Sequence, residues 1–285
     1  MKNKFRLTFL AVTLLLLSNL IVTAQTNSCC SAPDQFAAFA KDAAFVNKHE
    51  EPIPFSFIAD KGKEITVTCS DGSTAKGYGI PATTASNKYV FVYHEWWGLN
   101  DYIRKTAEQL HTDLGGNVNI IAIDLYDGKV AAVRDSAMAY MSALTTTRAQ
   151  TIINAFISTT GENAQIATIG WCMGGTYSLQ STLLATQKSV GCIMYYGMPE
   201  SDTEKLKTLT ADVLMMWPNQ DKYINKEVVD KFKANMAALG KNLQVEEYNA
   251  DHAFANPSNP KYNVEAATDA YTKSLAFLKL KLAIS

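Results

Sequence analysis

The sequence predicts an α/β fold, a mostly parallel sheet with helices on both faces. Two observations carry this. Short, near-continuous apolar runs alternate with stretches of helical periodicity. Polar residues able to do chemistry stand just past the ends of several apolar runs, where such sheets gather their functional groups. Composition is compatible: 285 residues are 47% hydrophobic and 19% charged, which gives enough apolar surface to offset ordering entropy. A net charge of −1 with no Lys/Arg run argues against nucleic acid as a main partner. No Pro/Gly/Ser-rich linker or repeat divides the chain, so the expected organisation is a leader at 1–24, an N-terminal extension at 25–60 and one domain at 61–285.

The leader has the pattern of a secretory signal peptide. Lys2, Lys4 and Arg6 precede an apolar run from Leu7 to Leu17, and small residues end at Ala24. Five polar residues between Leu7 and Ala24 make it a poor spanning helix. The expectation is export to the periplasm or medium, cleavage after Ala24, and a soluble mature chain of net charge −4 once those three cations are gone. Cys29, Cys30, Cys69, Cys172 and Cys192 then remain in an oxidising compartment. Either Cys29 or Cys30 is able to pair with Cys69, and an odd total leaves one thiol over.

Residues 25–60 read as short helical pieces and turns of poorly specified structure. Glu64–Cys69 and Thr74–Ile80, joined through Asp71-Gly72, form a hairpin signal. Tyr89–Tyr93 is a run fit for a strand buried on both faces. A helix follows from about Asn100-Asp101, with Ile103, Ala107, Leu110 and Leu114 on one side and Gly115-Gly116 as its stop. Strands are expected at 118–123, 166–170, 190–196, 213–217 and 243–248. Helices are expected at 133–144, 148–159, 174–185, 226–239 and 264–282.

Gly170-Trp171-Cys172-Met173-Gly174-Gly175 lies between a strand and a helix, as the nucleophile elbow G-x-S-x-G does, with cysteine in the serine position. Glycines two residues either side relieve the crowding of a sharp strand-to-helix turn. The helix N-terminus favours a thiolate and an oxyanion beside it, and the Met173 N–H is one oxyanion donor. A thiol nucleophile needs a base and an orienting acid. Of the four histidines, His252 follows the last strand in a loop. His49 in the extension and His111 on a charged helix are expected to be solvated. Asp221, after the strand at 213–217, precedes His252, giving the order nucleophile, acid, base. Asp251 is the rival acid, but adjacent side chains on extended backbone point apart.

Cys172 in G-W-C-M-G-G, Asp221 in N-Q-D-K-Y, His252 in D-H-A-F-A and Glu95 in H-E-W-W-G-L-N together resemble the dienelactone hydrolase family. The resemblance implies an α/β-hydrolase fold and ester or lactone hydrolysis without metal or organic cofactor. It makes Cys172 the nucleophile, His252 the base and Asp221 the orienting acid. Glu95 is the glutamate that contacts the resting thiol and shifts when substrate binds, and the Trp96 and Met173 N–H groups form the oxyanion hole. Lactone-cleaving members place an arginine shortly after the histidine, where this chain has Ala255-Asn256-Pro257. Arg134 matches a second substrate-binding arginine, or is an ordinary solvated helix residue. Trp97 is expected beside the substrate, or in the core. The expected partner is a small ester or lactone and the expected state a monomer. The alternative is an exported binding protein that keeps the fold without turnover.

Overall fold

The computed structural model describes residues 31–284, so the leader, Cys29 and Cys30 lie outside the described residues. Among those residues one eight-stranded sheet forms from β1 (Lys63–Thr68), β2 (Thr74–Ile80), β3 (Lys88–Tyr93), β4 (Asn119–Asp124), β5 (Gln165–Trp171), β6 (Ser189–Tyr195), β7 (Asp212–Pro218) and β8 (Leu243–Tyr248). Its spatial order is β1-β2-β4-β3-β5-β6-β7-β8. The β1–β2 hairpin and the β2–β4 pairing are antiparallel, and β4 through β8 run parallel. Val90, Val92, Ile120, Ile169, Ile193 and Met215 are fully buried, as strands covered on both faces require. The β8 edge is half exposed and carries Glu246 and Glu247, charges that discourage pairing with another chain.

The helices are α1 (Ala32–Ala38), α2 (Ala43–Lys48), α3 (Asp101–Asp113), α4 (Arg134–Ala143), α5 (Thr146–Thr159), α6 (Met173–Ala185), α7 (Thr203–Lys207), α8 (Lys226–Ala238) and α9 (Val264–Lys281). Side-chain caps start several of them: Asn100 accepts from the Ile103 N–H, Asn225 from Val228 and Asn263 from Ala266, each at 3.1–3.2 Å. Helix α6, behind the elbow, is buried on almost every side. Two of its polar side chains join a buried network: Thr168 Oγ1 lies 2.8 Å from both Ser178 Oγ and Thr182 Oγ1, and Ser178 donates to the Ile193 carbonyl at 2.8 Å. The expected elements are present to within a residue or two; α7 is an addition.

The extension is better built than its sequence suggested. Ser31 and Asp34 form a capping box on α1, which packs on α6 and α4. Phe36 and Phe45 are buried, and Phe39 packs partly buried against them. His49 and His111, expected in solvent, are both buried. His49 Nδ1 donates to the Phe45 carbonyl at 2.8 Å, and His111 Nε2 bonds the Pro81 carbonyl at 3.1 Å. Packing of apolar neighbours outweighs the exposure usual for loop and helix-surface histidines. Cys69 is a buried thiol beside Arg148. No helix of the described residues is long and apolar enough to cross a membrane.

The segment that leads from α2 into β1 is tied down by Glu108. One carboxylate oxygen accepts from the backbone N–H groups of Asp60, Lys61 and Gly62 at 2.9–3.1 Å and from the Tyr78 hydroxyl at 2.5 Å. Burial opposes ionisation, but these four donors hold the carboxyl below its ordinary range. Glu108→Ala orphans several donors and should cost about 3 kcal/mol, read as a Tm lower by several degrees. A depressed carboxyl stabilises the fold above its unfolded pKa and stops doing so as pH falls through the folded one. The Tm gap between wild type and variant should therefore narrow in acid; a gap independent of pH would contradict the ionised, four-donor arrangement.

Candidate active site

The elbow is a steric construction. Cys172 stands between β5 and α6 with φ 58° and ψ −123°, in the region that side chains rarely adopt. A Cβ on Gly170 would lie 2.1 Å from the Gly174 carbonyl oxygen, and one on Gly174 would lie 2.4 Å from the carbonyl oxygens of Tyr93 and His94. These approaches press the start of α6 against the end of β3, and only glycine permits them. The Cys172 N–H donates to the Tyr195 carbonyl at 3.0 Å, which fixes the turn to β6.

His252 comes from the loop after β8 and Asp221 from the loop after β7. The ring donates from Nδ1 to Asp221 Oδ2 at 2.6 Å, and Asp221 Oδ1 accepts from the Tyr223 and Ile224 N–H groups at 2.8 and 3.1 Å. Burial alone would raise the Asp221 pKa, but the His252 ring and these two amides bring it below its ordinary value. Burial also works against a charged His252. The Asp221 carboxylate and the Cys172 sulfur outweigh it and raise the ring well above an ordinary histidine. With Nδ1 committed, His252 Nε2 is left without a hydrogen-bond partner. A nitrogen of this ring, a nitrogen of His49 and the Cys172 sulfur all lie within 4.8 Å of one another. Asp251 instead pairs with Lys48 at 3.0 Å.

Cys172 is 1% exposed. Burial pushes its thiol up and the Glu95 charge adds to this, while His252 and the Met173 N–H pull it back. The resting sulfur is thus held toward the neutral thiol. Glu95 does not hydrogen-bond the thiol among the described residues. Its carboxylate accepts from the Tyr196 hydroxyl at 3.3 Å and from the Asn256 side-chain amide. Burial pushes Glu95 up to about 7, against the pull of His252, Tyr196 and Asn256.

A cavity of about 380 Å³ adjoins the cluster, walled by Glu95, Asn100, Trp171, Tyr195, Asn256 and Tyr271, among others. Glu95 belongs both to this wall and to the buried cluster. Neither Arg134 nor Trp97 is among the residues lining it. Arg134 opens α4, half-buried, and its Nε has no partner. Trp97 is buried against Trp96, with ring centroids 4.9 Å apart. Three residues enter that the sequence reading did not select: His49, Tyr196 and Asn256. Asn256 was noticed only as the place where a cation is missing. Spacings of three and four residues between Phe36 and Phe39 and between Phe45 and His49 were the signal for a packed extension.

Glu95 gives a pH signature. A carboxyl raised from 4.5 to about 7 stabilises the fold below its unfolded pKa and loses that contribution as pH rises through about 7. Glu95→Gln, which mimics the protonated form, should match wild type near pH 4.5 and exceed it above pH 7, by on the order of 2 kcal/mol. Thermal unfolding of both proteins across that range checks it. Parallel pH profiles would show that Glu95 ionises normally.

Residues 76–282 match the dienelactone hydrolase family. Carboxymethylenebutenolidase 1 of Cupriavidus pinatubonensis is 24% identical over 231 residues, spanning 76% of this chain and 96% of that protein. A dienelactone hydrolase-like promiscuous phosphotriesterase from metagenomic libraries superposes with a TM-score of 0.64 at 19% identity, covering 78% of this chain and 99% of the other. A dienelactone hydrolase from Anabaena variabilis gives 0.55 at 15% identity, over 78% and 99%. With a parallel sheet, an elbow cysteine and a His–Asp pair in this order, the chain belongs to the dienelactone hydrolase family, hydrolases of ester and lactone bonds.

Proposed function

We propose that the protein is an exported, cysteine-dependent hydrolase of small esters or lactones that works through Cys172, His252 and Asp221 and a thioester intermediate. The observation that carries this reading is the 2.6 Å bond from His252 Nδ1 to Asp221. It fixes the tautomer and leaves Nε2 as the basic atom of a ring that has a nitrogen within 4.8 Å of the cysteine sulfur. Export rests on the leader at 1–24.

In the first half-reaction His252 Nε2 takes the Cys172 proton and the thiolate attacks the substrate carbonyl. The Met173 N–H, already directed at the sulfur, and the Trp96 N–H receive the developing oxyanion. Each such donor is typically worth about 3 kcal/mol. The C–O bond breaks, the imidazolium returns its proton to the leaving oxygen, and a thioester remains. Water then gives its proton to Nε2 and its oxygen to the thioester carbonyl. The C–S bond breaks, and the ring re-protonates the thiolate. Asp221 stabilises the imidazolium formed in each half.

Glu95 regulates the first step. While ionised it opposes the thiolate, so a substrate that moves it from the cavity wall, or protonates it, lowers the cost of arming Cys172. The relatives named carboxymethylenebutenolidase suggest a butenolide lactone as one substrate shape. Without a cation after His252, a carboxylate on the substrate is held less firmly here. Neutral aryl esters should therefore be turned over at least as readily as carboxylate-bearing lactones.

A panel of neutral aryl esters and carboxylate-bearing lactones tests both statements. Cys172→Ala and His252→Ala should each lower kcat/KM by on the order of a thousandfold or more while the far-UV spectrum is unchanged. Equal turnover by wild type and folded Cys172→Ala would overturn the nucleophile assignment and favour a binding protein.

A further inference from the structure

The proposed reaction leaves one buried group of the cluster without a task. His49, the C-cap of α2, lies outside residues 76–282 that match the family. Its ring sits 5.3 Å from the His252 ring and 4.5 Å from Trp96, centroid to centroid. Nδ1 donates to the Phe45 carbonyl, so the lone pair is on Nε2, and that buried atom has no partner. Burial, with the neighbouring His252 adding to it, lowers the ring to about 3 and keeps it neutral. Two orphaned imidazole nitrogens beside one thiol are costly in a protein interior.

We propose that His49, Cys172 and His252 form a binding site for a borderline-soft divalent cation of the zinc class, with a fourth position open. One thiolate and two imidazoles are the donors that such a cation takes, and three protein ligands leave room for a water. Both rings already carry the outer hydrogen bond that orients a metal-binding histidine: His252 to a carboxylate and His49 to a backbone carbonyl. Tetrahedral N and S donors stand about 3.4–3.7 Å apart, so atoms now within 4.8 Å of one another need to close by at most about 1.4 Å. A cleft of about 10 Å³, lined by Lys48, His49, Tyr223, Asp251, His252 and Lys261, reaches the two rings. Its two lysines do nothing to attract a cation, so affinity has to come from the donor set. On binding, the metal–sulfur bond forms and one proton, from the thiol or from the His252 ring, leaves to solvent. Nucleophile and base are then both occupied, so the bound metal switches off the ester chemistry. Binding itself stands on the geometry; only that inhibition rests on the hydrolase reading.

Titration of the chelator-treated full chain with Co²⁺ reads the site directly. Cys29→Ser and Cys30→Ser are introduced so that neither thiol competes. One equivalent should bring up visible d–d bands and a near-ultraviolet thiolate-to-cobalt band, which Zn²⁺ then displaces. Cys172→Ala should abolish the thiolate band, and His49→Ala should weaken binding at least about tenfold. His49→Gln, whose amide still reaches the Phe45 carbonyl, should do the same with the thermal transition retained. Absence of a thiolate band, or equal cobalt affinity in wild type and folded His49→Gln, would overturn the site. Ester turnover by the metal-free protein is measured in parallel. Turnover without a cobalt band removes the metal site alone, and a His49-dependent band without turnover removes the hydrolase reading alone.

Discussion

Everything at this site depends on a steric constraint, the contact between the first turn of α6 and the end of β3. Gly174 lies where any side chain would run into the carbonyl oxygens of Tyr93 and His94. That closeness forces the chain to reverse within one residue, and Cys172 takes the strained conformation as a result. The sulfur is thereby presented at the sheet's carboxyl edge, beside the loops that carry Asp221 and His252. Strain of this kind persists only where the surroundings over-determine it. Here β3, β5, β6 and the buried α6 do so together, with the Thr168–Ser178–Thr182 network completing the support.

Electrostatically the cluster is a balance between burial and hydrogen bonding. Burial disfavours every charge in it: it raises Cys172 and Glu95 and works against charge on His252 and His49. Only at Asp221, where the His252 ring and two backbone donors converge, is charge held securely. The pair is therefore the one polarised unit in an otherwise neutral pocket, and the thiol beside it draws on that unit when substrate arrives.

Much of this was readable in the sequence because it is local. Apolar runs such as Tyr89–Tyr93 and Val213–Trp217 mark buried strands wherever they occur, and the G-x-C-x-G spacing encodes its own turn. Asp221 and His252 follow from position just past strand ends, since sheet topology brings those ends together. The remainder is long-range. His49 looks like a solvated loop histidine until Phe45, Trp96 and His252 close around it, and Lys48 meets Asp251 across 203 residues of chain. Asn256 was legible only as the absence of an arginine, although its amide holds Glu95. Tyr196 sits at the end of β6 with φ 39°, a backbone state that no periodicity announces.

The extension's contact with the His252 loop has a consequence for how the molecule comes into being. Loop closure over some two hundred residues is among the slowest kinds of contact to form. A chain made from its N-terminus holds Phe45 and His49 from the outset, but the His252 loop that they pack against follows only as the last eighth of the sequence begins. The elbow itself is complete well before that. For the whole of that interval Cys172 has neither its base nor its roof and is an ordinary thiol. Chemical competence therefore arrives together with the final tertiary closure, and an unfinished copy of the protein is a harmless one.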